Sequence, residues 1–240
     1  MQEPGQCVVP AAGPPAMSHN GGVPSVSAEV RGSRAGGRPP LPEDQLARRK
    51  RAILDVTLSL VAAKGAGAVR LRDVAGEAGV SVGLLQYYFE SRDQLIRDAF
   101  DQHARAVIDV VTAADDPGAP PWDRMKAMLG AAVLRRDLGQ SSALWMEFTA
   151  ASLHDEQLRA LAKATYEAWR ALLAQIVTRG IETKAFRPSL PPELVVSCLV
   201  ALIDGFELAV AIDVHDASPA EIAEKLTSTA RLMLNPASGG

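Results

Sequence analysis

The sequence predicts an all-α fold of about nine helices. Three observations predict it. From residue 43 onward, apolar residues recur with a period near 3.6. Gly and Pro clusters separate the periodic runs, among them "DDPGAPP" at 115–121 and "RPSLPP" at 187–192. No stretch shows the two-residue alternation of a half-buried strand, and no internal repeat stands out.

The elements follow in order. Residues 1–42 are rich in Gly, Pro, Ser and Ala and poor in large apolar side chains. They bury too little to offset ordering entropy and are expected to form a disordered tail. In the first helix Ile53, Val56, Leu60 and Val61 share a face, and Gly65 and Gly67 end it. Short helices are expected over Leu71–Ala78 and Ser81–Phe89, then a long one from Ser91 to about Val111. Beyond the break, "WDRMKAMLGAAVLRRDL" is amphipathic. "SSALWMEFTAASLH" opens with serines suited to N-capping. The longest periodic run covers 155–186. Two further helices cover 192–213 and 218–234.

Composition narrows the function. A chain of 240 residues with 48% hydrophobic content can bury a real core. No uninterrupted apolar run reaches the roughly 18 residues of a bilayer span, so no membrane partner is expected. The opening "MQEPGQCVVPAAGPPAMSHNGG" lacks a charged n-region before an apolar h-region, which argues against a signal peptide. The two cysteines, Cys7 and Cys198, argue against a disulfide framework and for a reducing cytoplasm. Charge is uneven. Arg31–Arg72 holds ten Lys/Arg against three Asp/Glu, in a chain of net charge −3. A basic N-terminal segment on an acidic protein suits contact with a polyanion, although "RRKR" at 48–51 also fits a solvated helix start.

The stretch "RDVAGEAGVSVGLLQYYFESRDQL", Arg72–Leu95, reads as two short helices around a glycine turn, the plan of a helix-turn-helix. Val74, Ala75 and Ala78 face inward, Gly79 makes the turn and Val80 plugs the corner. Ser81 can cap the second helix and offer its hydroxyl to a phosphate. Leu85, Tyr88 and Phe89 form the inward stripe. Val82, Gly83, Gln86 and Tyr87 remain outside. Gln86 can bond adenine in two places and Val82 can meet a thymine methyl. A plain helical hairpin with an exposed tyrosine would give the same pattern.

Val74-Ala75, the turn Ala78-Gly79-Val80-Ser81, Gly83, Tyr88-Phe89 and Arg92 resemble the DNA-binding signature of the TetR family of bacterial transcription regulators. Two positions depart from that signature. Arg70 stands where many members have a Ser or Thr cap, and Gln86 where many have Tyr. The resemblance implies a DNA-binding domain over 43–95 and a ligand-binding and dimerisation domain over 96–235. It implies phosphate contacts from Arg48, Arg49, Arg70, Arg72, Ser81 and Arg92, and base contacts from Val82, Gly83, Gln86 and Tyr87. The expected partners are a palindromic double-stranded DNA operator, a small-molecule effector and a second copy of the chain. The alternative is a helical ligand-binding or interaction module that has lost DNA binding.

"ALWMEFTAASLHDEQLRAL", "GIETKAFRP" and "ALIDGFELAVAID" are similar to the C-terminal domain of the BetI-type branch of that family. That branch implies a helical dimer with a small-molecule pocket. Trp145, Glu147, Phe148, Tyr166 and Trp169 are the expected pocket residues, with Glu147 as counter-charge for a cation. Core anchors would cluster the same way. A ligand among them could push on the long helix that begins at Ser91 and passes His103 and Val107. Leu199, Ile203, Asp204, Phe206 and Val210 of one helix, with Leu226 and Leu232 of the next, are the expected dimer interface, with the pocket as the alternative place for Asp204. The histidines at 19, 103, 154 and 215 show no metal-ligand spacing, and "DVHD" at 213–216 reads as an interhelical loop. No catalytic motif appears, so no enzyme, metal or cofactor is expected.

Overall fold

A computed structural model describes residues 42–134, 137–214 and 218–237. The expectation of a disordered tail over 1–42 lies outside them except for Pro42, as do Cys7, His19 and His215. The described residues form nine α-helices and one 3-10 turn. Helix α1 is Glu43–Lys64, followed by the turn Ala66–Ala68, α2 (Leu71–Glu77) and α3 (Val82–Tyr88). Next come α4 (Arg92–Ala114), α5 (Pro121–Val133) and α6 (Leu138–Ser152). Helices α7 (Glu156–Glu182), α8 (Pro192–Ala211) and α9 (Pro219–Leu234) complete the chain. The all-α expectation holds. Among the described residues, the sole β feature is an isolated bridge between Phe186 and Pro236.

Local chemistry sets most helix starts. Ser81 accepts the Leu84 N–H at 3.1 Å to open α3, and Ser91 accepts that of Gln94 at 3.0 Å to open α4. Asp155 accepts the N–H groups of Gln157 and Leu158 to open α7. The serines expected to cap α6 do not. The helix begins earlier, at Leu138, and Ser141 and Ser142 are buried within it. Small hydroxyls fit the close packing there, which a sequence pattern does not distinguish from capping.

Two apolar clusters hold the fold. The first gathers α1–α4 around Ile53, Val61, Val74, Leu85, Phe89, Leu95 and Phe100. It also takes in Leu144, Phe148 and Leu158 from α6 and α7. The Phe100 and Phe148 rings lie 5.2 Å apart, centroid to centroid. The second cluster joins α5, α7, α8 and α9 through Trp122, Met125, Leu173, Ile176, Leu199 and Leu226. Residue 95, the expected domain boundary, lies inside α4, which reaches both clusters through Phe100 and Val111.

Three expected interface residues belong to this interior. Leu199, Ile203 and Leu226 are buried within the single chain and offer no surface to a second copy. The sequence of α8 is apolar nearly all round, so periodicity alone could not tell its inner face from its outer one. That composition also corrects the membrane argument: α8 is long and apolar enough to cross a bilayer by length and composition. Its inner residues Val195, Val196, Leu199 and Val200 are instead packed into the core.

Candidate functional site

The start of α2 shows how the reading helix is held. Asp73 reaches back to accept the N–H of Arg70 at 3.2 Å, and it accepts Lys64 Nζ at 2.7 Å. The Lys64 ammonium, then the Arg70 N–H, hold the Asp73 carboxyl below its usual range. This is the back half of a capping box: it ties down the Arg70 amide, while the Asp73 N–H bonds the Arg70 carbonyl at 2.9 Å. After α2, Gly79 turns the chain at φ 63°, where a side chain would be strained. Val80 N–H then bonds Ala75 O at 2.9 Å.

Burial of Leu85 and Phe89 fixes the rotation of α3. Val82, Gly83, Gln86 and Tyr87 are all exposed as a result, Tyr87 at 77%. Arg48, Arg49, Arg70 and Arg72 are exposed as well. One phosphate candidate is corrected. Arg92 Nε donates to Val69 O at 2.7 Å, its Nη2 donates to Ala66 O, and Nη1 pairs with Asp93 at 2.8 Å. A guanidinium occupied by two backbone carbonyls ties α4 to the preceding turn and is not directed at a phosphate.

Away from this surface lies a partly open cavity between α4, α6, α7 and α8. Trp145, Phe148, Tyr166 and Trp169 line it. Trp145 and Tyr166 stand 5.9 Å apart between ring centroids. Glu147 does not line it, and its carboxylate is bound instead to the turn after α1. The acids in the wall are Asp204 and Glu207 of α8. Asp204 accepts the Tyr166 hydroxyl and is further supported by Trp145. It therefore belongs to the cavity and not to an outer interface. Burial raises the Asp204 carboxyl above its ordinary value against the pull of these two donors. Burial, with Asp204 nearby, raises the Tyr166 phenol.

His103 and Ser141, missed from sequence, meet in the wall at 3.3 Å. Thr165 and Val200 were missed too. The one legible signal was a pair of acids, Asp204 and Glu207, three residues apart inside an otherwise apolar helix. Among the expected interface residues, Phe206 and Val210 are half-buried and Leu232 is 82% exposed. No cluster of metal-binding side chains occurs among the described residues.

A helix-turn-helix with an exposed outer face, carried on a helical body that holds a cavity, defines a class of DNA-binding regulator. The chain belongs to the TetR family of bacterial transcriptional regulators, with a C-terminal domain of BetI type. Residues 53–99 match the family described as bacterial regulatory proteins, tetR family, and residues 121–234 match the BetI-type transcriptional repressor, C-terminal. The chain is 29% identical over 172 residues to the HTH-type transcriptional regulator BetI of Klebsiella pneumoniae (strain 342), covering 68% of this chain and 83% of that one. A TetR-family transcriptional regulator from Rhodococcus sp. superposes with a TM-score of 0.66 at 25% identity, covering 78% of this chain and 99% of that one. A transcriptional regulator from Saccharomonospora viridis, solved in complex with choline, shares the fold with a TM-score of 0.70 at 22% identity, covering 76% and 95%. The family consists of transcriptional regulators, not enzymes.

Proposed function

We propose that this cytoplasmic regulator is a repressor that binds a palindromic operator as a homodimer and releases it when a small organic cation fills the cavity. The observation that carries the effector class is the wall itself. Four aromatic side chains, Trp145, Phe148, Tyr166 and Trp169, stand with the carboxylates of Asp204 and Glu207, and the lining contains no Lys or Arg. Aromatic faces and acids attract a cation, and more strongly when water is excluded. The choline bound by the Saccharomonospora relative supports the same class.

The outer face of α8 supports the dimer. Leu194, Leu208 and Ile212 are exposed, and Cys198, Ala201 and Gly205 lie between them at alternating spacings of four and three residues. A second copy would cover this stripe and Leu232, and two-fold symmetry would match a palindrome.

Calorimetry with choline and with its neutral carbon isostere, 3,3-dimethylbutan-1-ol, tests the effector class. Choline should bind, the isostere should not, and choline should release the protein from DNA carrying the region upstream of its own gene. Equal affinity for the two compounds would refute the cation reading.

A further inference from the structure

The turn between α1 and α2 is gripped from two sides. Glu147 Oε2 accepts the Ala66 N–H at 2.7 Å. On the other side Arg92 donates to the carbonyls of Ala66 and Val69. Gly65 precedes the turn at φ 82°, where a side chain would be strained. Four residues beyond Ala66, Arg70 opens α2, and α3 follows.

Glu147 also has a second connection. On α6 it stands between Trp145 and Phe148, which line the cavity while Glu147 points elsewhere. On one helix, α6, Ser141, Trp145 and Phe148 line the cavity, Leu144 and Phe148 pack into the α1–α4 cluster, and Glu147 alone bonds the turn before α2. The contact has little slack. An N–H···O bond weakens beyond about 3.2 Å, and this one is partly buried, so losing it is unfavourable. A small displacement of α6 must either carry the turn with it or break the bond.

We propose that Glu147 is a positioning residue, transmitting the state of the cavity to α2 and α3 through the Ala66 amide. This is a route separate from the length of α4, and it rests on reading the aromatic cavity as the effector site.

A double-mutant cycle on the full-length protein tests it without any effector. Trp145→Ala disturbs α6 from the cavity side; Trp145→Phe serves if the alanine variant fails to fold. Each is made with Glu147, Glu147→Gln and Glu147→Ala, and operator affinity is measured. With Glu147 the cavity change should shift operator affinity at least about fivefold, the lower end of allosteric coupling. With Glu147→Ala the shift should shrink markedly, to what the packing of Leu144 and Phe148 carries, and with Glu147→Gln, whose amide oxygen still accepts the bond, it should persist. Hydrogen exchange at Ala66 should quicken about tenfold or more in Glu147→Ala alone. Equal shifts in all three backgrounds, or no shift with Glu147 present, would overturn the proposal. Choline calorimetry judges the cavity reading separately.

Discussion

Arg92 Nε donates to the carbonyl of Val69 at 2.7 Å, fastening the first turn of α4 to the segment that leads into α2. The contact spans 23 residues and gives this arginine a structural role.

Arg92→Ala should therefore lower stability by about 1.5–3 kcal/mol, the range for hydrogen bonds to a charged group. The salt dependence of operator binding should keep its slope. Removing Arg48 or Arg49 should flatten that slope by about one unit each, as expected for phosphate contacts. Thermal melts and gel shifts across a salt series separate the two effects.

Tyr87→Ala and Gln86→Ala should each cost about 1–3 kcal/mol of specific binding and leave non-specific binding nearly unchanged. Both side chains are exposed, so stability should stay within about 0.5 kcal/mol of the parent. Unaltered operator affinity in both variants would remove α3 as the reading helix.

Cation binding should depend on pH through Asp204. Burial raises its carboxyl above the ordinary 3.8. Only the ionised form attracts a cation, so choline affinity should fall on acidification while the pH is still above that ordinary value. The raised value also means that protonating Asp204 favours the folded state, and this contribution is lost as pH rises through it. Asp204→Asn should weaken choline and abolish the pH dependence. A pH-independent affinity in the parent protein would exclude Asp204 as the counter-charge.

Asp115 and Arg124 form a two-bonded pair, both contacts 2.7 Å, where α4 gives way to α5. Arg124 is 7% exposed. Hydrogen bonding from Arg124 holds the Asp115 carboxyl below 3.8. The sign follows: its stabilisation is present above that value and is lost as pH falls through the depressed one. Asp115→Asn should cost about 3 kcal/mol at neutral pH by leaving a buried guanidinium without its counter-ion. It should also flatten the acid limb of the stability curve in denaturant titrations.

The α8 stripe predicts assembly. Leu208→Lys should shift sedimentation from dimer to monomer and lower operator affinity, while the monomer fold persists because Leu208 is 47% exposed. A full-length parent that sediments as a monomer at micromolar concentration would refute the dimer.

The helices were legible because apolar period and Gly/Pro breaks are local properties. So was the outward set on α3, since burying Leu85 and Phe89 dictates where Gln86 and Tyr87 must point. The failures concern destinations that only packing decides. Arg92 stands where the family signature has a basic residue, and nothing local marks the carbonyls it meets at Ala66 and Val69. Glu147 lies in an aromatic run, and its true partner is an amide 81 residues away. Asp204 fits an interface or a pocket by sequence alone, because its partners, Tyr166 and Trp145, come from two other helices. Leu199 and Leu208 look alike in sequence, yet one is core and the other surface.

The stacking of Phe148 on Phe100, with Leu144 and Leu158 beside it, bears on how such proteins can be recombined. Residues 43–95 cut out alone would lose Phe100 and all three residues that α6 and α7 lend to their core. The excised head should be largely unfolded. A functional exchange of operator specificity between relatives would have to carry the partners of Phe148 and Leu158 with it, or be made by grafting only the exposed residues of α3.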